Sequence, residues 1–262
     1  MVATSPGPIV LLTDFGTSDP YVGIMKAVIF SQAPKARLID LSHEIPPQNV
    51  WQAAFFLRFS AAYFPKNSLF VCVVDPGVGS KRNILWAKTK NHQFLAPDNG
   101  LLSWIQEPLV ECRIVSNRAW MRREVSSTFH GRDIFAPVAA KLFNGSSPKL
   151  LGPRTEKRAH VPWPSPFWRR DRVEGEIIFV DRFGNCVSNI TQGDLEKRNF
   201  KRRPEIFFRG KSLGPLWNCY SEVQENRPLA LTSSFGLLEL AVCNGSFAEK
   251  SEVKIGEKIV CR

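Results

Sequence analysis

The run Leu69-Phe-Val-Cys-Val-Val74 is apolar at every position. A strand with one wet face alternates, so an unbroken Val-rich run reads as a strand buried on both faces, in a parallel sheet covered by helices. The run stops on a carboxylate, Asp75, followed by Pro76-Gly-Val-Gly79, Lys81 and Arg82. Proline brings no N–H to the ladder, and glycine permits positive φ and close backbone approach. Open α/β sheets bind ligands beyond the carboxyl ends of their strands, so Asp75 is either a site acid or an incidental strand-ending one.

Ile9-Val-Leu-Leu-Thr13 repeats the pattern and ends at Asp14-Phe-Gly16. Ser18 or Asp19 is expected to cap a helix with Pro20 in its first turn and apolar residues 22, 25, 28 and 29 on one face. Ala36–Ser42 reads as a strand, Ile45–Pro47 as a loop, and Asn49–Phe64 as a helix stopped by Pro65. Strands near Asn83–Thr89 and Gln93–Ala96 lead to the turn Pro97–Gly100, a short helix Leu101–Gln106, a strand Cys112–Ser116 and a helix Ile134–Phe143 closed by Asn144-Gly145. The strand–helix alternation predicts an α/β N-terminal domain, residues 1–160, with a largely parallel central sheet flanked by helices. Prolines 162, 164 and 166 mark a linker at 161–172. Residues 173–262 carry short strand patterns between polar turns, from Val173–Val180 to Val253–Val260, with no helix needed. They predict a smaller antiparallel, barrel-like β domain.

Composition narrows the partners. A bilayer span needs about 20 apolar residues in a row, and the chain has no such run. Met1–Pro8 lacks the basic and apolar regions of a signal peptide. Cysteines 72, 112, 186, 219, 243 and 261 form no C-x-x-C pair, and several sit in apolar runs as reduced core thiols do. A cytoplasmic protein with no membrane partner is expected. His43, His92, His130 and His160 show no metal-binding spacing, so no metal is expected. The net charge of +11 gathers in Arg154–Arg172 and Lys197–Arg203. These runs suit nucleic acid or solvated loops. They lack interleaved aromatics apart from Trp163, Phe167 and Trp168, which read as packing, so no nucleic-acid partner is expected.

Seven motifs in order carry a resemblance: Thr13-Asp-Phe-Gly16, Tyr21-Val-Gly-Ile-Met-Lys26, Val74-Asp-Pro-Gly-Val-Gly79 with Arg82, Ala96-Pro-Asp-Asn-Gly-Leu-Leu102, Phe129-His-Gly-Arg-Asp133, Asp181-x-Phe-Gly-Asn185 and Ser234-Phe-Gly. From about residue 9 to 250 the chain resembles the S-adenosylmethionine hydroxide adenosyltransferases, water-using relatives of the fluorinases and chlorinases. The resemblance implies a homotrimer with pockets where one subunit's N-terminal domain meets a neighbour's C-terminal domain. It implies S-adenosylmethionine as substrate, no further cofactor, and attack of water or hydroxide at ribose C5′ to give adenosine and methionine. Asp14 matches the acid that accepts both ribose hydroxyls, although a helix-start acid would also suit its place. Asp75, Arg82 and His130 match the set that marks hydroxide users, with the base among them left open. Phe183 and Asn185 match the turn that meets the adenine and amino-acid end, Asp181 the acid near the methionine ammonium, and Ser234 a serine at the methionine end. All four also suit ordinary turn chemistry. Ala27, Asn83, Ser188 and Ser233 depart from the family pattern, and only Ser233 bears on a site, the methionine end. A nucleoside- or S-adenosylmethionine-binding protein with little turnover is the alternative reading.

Overall fold

The computed structural model describes residues 6–169, 172–196 and 203–262. It divides into two compact units, residues 1–162 and 163–262.

In the first unit the strands are β1 (Ile9–Thr13), β2 (Leu38–Ser42), β3 (Leu69–Val73), β4 (Ile84–Lys88), β5 (Gln93–Pro97) and β6 (Glu111–Ile114). The helices are α1 (Tyr21–Gln32), α2 (Val50–Ser60) and α3 (Ala136–Phe143). The sheet order is β2-β1-β3-β5-β4-β6. Its first three pairings are parallel, while β4 runs antiparallel to both β5 and β6. Every residue of β1 and β3 is buried, because the strands are sandwiched. Ile9, Leu11, Leu69, Val71 and Val73 pack with Met25 and Ile29 of α1 and Val138 of α3. Val10, Leu12, Phe70 and Cys72 face the opposite way, against Ala53 and Leu57 of α2. The period of two along each strand thus feeds two helical layers.

That layering locates the site. The connection β1-α1-β2 covers one face and β2-α2-β3 the other, so the direction of winding reverses between β1 and β3. Such a switch point opens a crevice at the strands' carboxyl ends. Thr13 pairs with Val73, which sets Asp14 and Asp75 beyond the same edge of the sheet.

Local details differ from the sequence reading. Pro20, not Ser18 or Asp19, occupies the cap position of α1, and its carbonyl accepts the Ile24 N–H at 2.9 Å. Leu101–Gln106 forms turns rather than a helix, because Leu101, Leu102 and Trp104 are buried while the Trp104 indole donates to the Val161 carbonyl. Before α3, Gly131–Phe135 forms a π-helical turn. Such turns recur at functional positions, where the extra residue re-aims a side chain.

The second unit comprises β7 (Phe167–Trp168), β8 (Val173–Val180), β9 (Cys186–Thr191), α4 (Gln192–Glu196), β10 (Glu205–Phe208), β11 (Lys211–Trp217), β12 (Pro228–Thr232), β13 (Leu237–Val242), α5 (Phe247–Lys250) and β14 (Lys258–Cys261). Seven strands close a ring in the order β14-β10-β11-β12-β13-β9-β8, with β8 pairing back to β14 and β7 added on β8. All pairings are antiparallel except β11 with β12. Two short helices appear where none was expected. α4 opens with reciprocal bonds between the side chain of Thr191 and Asp194, and α5 with the Ser246 hydroxyl accepting the Glu249 N–H. At five and four residues they are too short to show a 3.6-residue repeat.

Of the basic stretches, Arg154 meets Glu111, and Arg169 and Arg172 share Glu174. Residues 170–171 and 197–202 of those stretches, and Met1–Ser5 of the N-terminus, lie outside the described residues. Among the described residues no helix is long and apolar enough to cross a membrane, and no cluster of three or more His, Cys, Asp or Glu could hold a metal ion. All six cysteines are free thiols, five of them buried.

Candidate active site

Asp75 leaves the end of β3 and turns back at once. The Val78 N–H donates to its carbonyl at 3.2 Å and the Ser80 N–H to the Gly77 carbonyl at 3.1 Å. Gly79 lies at φ +78°, and a Cβ there would stand 2.4 Å from the Ser127 carbonyl oxygen, so neither the backbone angle nor the space admits a side chain. The turn returns Arg82 to Asp75. Arg82 Nε donates to Asp75 Oδ1 at 2.5 Å and Nη2 to Oδ2, a two-pronged pair whose side chains are only 11% and 5% exposed.

Arg82 Nη2 also lies 3.1 Å from His130 Nδ1. A guanidinium has no acceptor, so the imidazole accepts at Nδ1 and carries its proton on Nε2. Burial, and then the Arg82 cation, hold His130 below the ordinary histidine value, which favours the same neutral form. Asp133, fully buried three residues on, anchors this loop by accepting from the Ser126 N–H and from both Nε and Nη2 of Arg132.

Asp14 stands at the end of β1, where its Oδ2 accepts the Gln48 N–H at 2.7 Å. Burial raises its carboxyl above the ordinary range; the Gln48 bond pulls it back, and the nearby Asp75 charge adds to the rise. Asp14, Asp75 and His130 line one pocket of about 300 Å³ with Phe15, Tyr21 and Phe129. Those three rings meet edge to face, with centroids 5.2–6.0 Å apart. The pocket therefore combines an aromatic cluster with two carboxyl groups and an imidazole, with room for a nucleoside-sized ligand. Asp14, Asp75, Arg82 and His130 are thus brought together. The aromatic wall and Gln48 went unassigned in the sequence, although the rings lie inside the quoted motifs.

In the second unit, Asp181, Phe183 and Asn185 share the β8–β9 turn. Asp181 Oδ1 accepts the N–H groups of Phe183 and Asn185 at 2.9 and 2.8 Å, and Oδ2 accepts Asn185 Nδ2 at 3.0 Å. Gly184 sits at φ +79°, where a Cβ would strike Ser246 Oγ. The turn leaves Phe183 76% exposed. Ser234 is exposed in the β12–β13 turn. It precedes Leu237, which pairs with Thr191, whereas the β8–β9 turn borders Cys186, which pairs with Leu240. Ser234 is thus separated from the other three along the ladder. Between them, Glu239 is buried on β13 and accepts the Tyr220 hydroxyl at 2.6 Å, a pair with no signal in the sequence reading.

Paired acids at the switch point of a layered α/β unit, followed by a closed β-barrel, define a class of small-molecule-binding two-domain proteins. Comparison with known proteins narrows this. The family model for the SAM hydroxide adenosyltransferase N-terminal domain matches residues 9–152, and that for the C-terminal domain residues 175–260. The chain belongs to the SAM hydroxide adenosyltransferase family. It is 36% identical to an (R)-S-adenosyl-L-methionine hydrolase from Thermus thermophilus over 95% of this chain and 97% of that protein. A protein of the same name from Methanocaldococcus jannaschii is 38% identical over 89% of this chain and 87% of its own length. A crystal structure of an uncharacterized conserved protein from Thermotoga maritima superposes with a TM-score of 0.89 at 35% identity, covering 97% of this chain and 99% of that one.

Proposed function

We propose that this enzyme hydrolyses S-adenosyl-L-methionine to adenosine and L-methionine by attack of water at ribose C5′. The observation that carries the reading is that Asp75 and His130, both bonded to Arg82, line one pocket with Asp14. Asp14 receives the ribose hydroxyls, since its Oδ1 lies free of the Gln48 bond. Arg82 binds both oxygens of Asp75, which still have lone pairs for a water. His130, protonated on Nε2, orients that water by donating to it, and Asp75 takes the proton. The oxygen–C5′ bond forms as the C5′–S bond breaks, the sulfonium leaves as the neutral thioether of methionine, and one proton passes to Asp75. The related hydrolases are named for the (R) sulfonium, and the same epimer is proposed here.

Phe183, Asn185, Asp181 and Ser234 are assigned to the adenine and amino-acid ends of the substrate, completing a neighbour's pocket in a homotrimer. The exposure of Phe183 supports that role. No metal or further cofactor enters this scheme. Six free thiols favour a reducing, cytoplasmic setting, and the ion pairs of Arg154, Arg169 and Arg172 favour solvated loops over a nucleic-acid face. The test is single turnover with each sulfonium epimer in ¹⁸O-labelled water, resolved by chromatography and mass. Adenosine should carry one heavy oxygen at C5′ and methionine none, with the (R) epimer preferred. Unlabelled adenosine, or S-adenosylhomocysteine as product, would overturn the reaction. Absence of turnover with intact nucleoside binding would favour a binding protein.

A further inference from the structure

Asp14 is held by more than the Gln48 N–H. The β1–β2 ladder slips by one residue, so Leu11 pairs with Asp40 but Leu12 with Ser42. The slip brings His43 alongside Thr13, the residue before Asp14. His43 is 5% exposed and Thr13 fully buried. His43 Nδ1 lies 2.8 Å from Thr13 Oγ1. Its other nitrogen lies 3.0 Å from Asp40 Oδ1, a close polar contact too bent for a full hydrogen bond. Asp40 Oδ2 accepts Lys26 Nζ at 2.6 Å.

The directions follow from donor and acceptor types. A carboxylate only accepts, so the His43 proton belongs on Nε2, facing Asp40, and Nδ1 accepts the Thr13 hydroxyl. Thr13 Oγ1 keeps lone pairs and takes the Phe15 N–H at 3.3 Å. The His43 carbonyl takes the Gly16 N–H at 2.8 Å. Asp14 is therefore bracketed: Thr13 before it bonds the His43 imidazole, Phe15 after it bonds the Thr13 hydroxyl, and the chain leaving His43 supplies the Gln48 N–H, at a φ of +67°, to its carboxylate.

We propose that His43 is a positioning residue for Asp14, fixing the ribose-binding carboxylate through Thr13 at one nitrogen and Asp40 at the other. This rests on the assignment of Asp14 to the ribose. His43 touches no substrate and acts only through the loop.

Calorimetry with adenosine and 2′,3′-dideoxyadenosine separates positioning from general structure, since only the first offers hydroxyls to Asp14. His43→Ala should raise the adenosine Kd about tenfold, the size of one charge-assisted hydrogen bond, and move the dideoxy ligand by less than about twofold. In an Asp14→Ala background the same change should have no further effect on adenosine. Equal weakening of both ligands, or a loss that persists without Asp14, overturns the proposal. Asp14→Ala alone tests the underlying assignment: if it leaves the adenosine Kd unchanged, the ribose reading falls and the proposal with it. Should His43→Ala fail to fold, Asp40→Asn, whose side chain is 42% exposed, should show the same ligand selectivity with a smaller loss, and no selectivity there refutes the idea.

Discussion

Asp75→Asn exchanges one carboxylate oxygen for an amide NH2 and changes little in volume. In the native pocket both Asp75 oxygens accept from Arg82, and the pair is nearly sealed from water. Whichever way the amide turns, an N–H of the new side chain faces an arginine N–H, and the negative charge is gone. Two losses follow, with different sizes and different readouts. Breaking a well-buried ion pair from one side costs about 3–5 kcal/mol of stability. Arg82 keeps two partners, the Asn83 carbonyl at 3.3 Å and His130 Nδ1 at 3.1 Å, which places the expected cost toward the lower end. The chemical loss is the proton acceptor, worth about 10²–10⁴ in kcat, or about 2.7–5.4 kcal/mol in the barrier. Nucleoside binding is proposed for Asp14, Phe183 and Asn185 rather than for Asp75, so the adenosine Kd should stay within about threefold, well under the effect of one lost charged hydrogen bond. Quenched single-turnover assays, run well below the variant's Tm and paired with adenosine calorimetry, measure both. A correctly folded variant with near-native turnover would remove Asp75 from the chemistry. Parallel collapse of rate and affinity would assign the loss to the fold instead.

Asp14 has a raised folded-state pKa, led by burial, so its contribution to stability is present at low pH and lost as pH rises through that value. Asp14→Asn should therefore raise the Tm at neutral pH while weakening adenosine binding, and a lower Tm would refute the burial argument. His130 is depressed below its ordinary value of 6.5, so its contribution is present above that value and lost as pH falls through the folded one. Thermal scans of His130→Gln should then show a shallower loss of stability on acidification than the native protein, and an unchanged slope would refute the neutral assignment. Gly79→Ala should lower stability by more than about 1 kcal/mol in denaturant titration, given its positive φ and the Ser127 carbonyl. Mixing inactive Asp75→Asn and Asn185→Ala subunits should restore some activity if pockets are shared, and no recovery after confirmed exchange would refute sharing.

The buried strands were legible because β1 and β3 are apolar at nearly every position, which leaves few folds to choose among. The reversal of winding between them follows from helices assigned to opposite faces, so the pairing of Asp14 with Asp75 was within reach. The His43–Thr13 tie was not, because it depends on a one-residue slip in the β1–β2 ladder that no local pattern announces. For Ser234 the motifs name an end of the substrate and not a place in the barrel, and strand register sets its turn apart from that of Asp181 along β9 and β13. The Tyr220–Glu239 pair escaped because Glu239 sits in an apolar run where an acid reads as the wet face of a strand, yet it is buried. The two short helices, too brief for periodicity, escaped for want of length.

The ring of the second unit has a closing stave. β14 pairs with β10 on one side and β8 on the other, and it is the last barrel strand in the chain. Until Lys258–Cys261 has left the ribosome, β8 and β10 each present an unpaired edge, ready to capture strands from another nascent chain. The first unit, whose last helix ends at Phe143, can be packed well before that moment. Stop codons or proteolytic nicks just ahead of Lys258 should therefore give aggregates rather than a weakened enzyme, even though they remove no residue of the pocket.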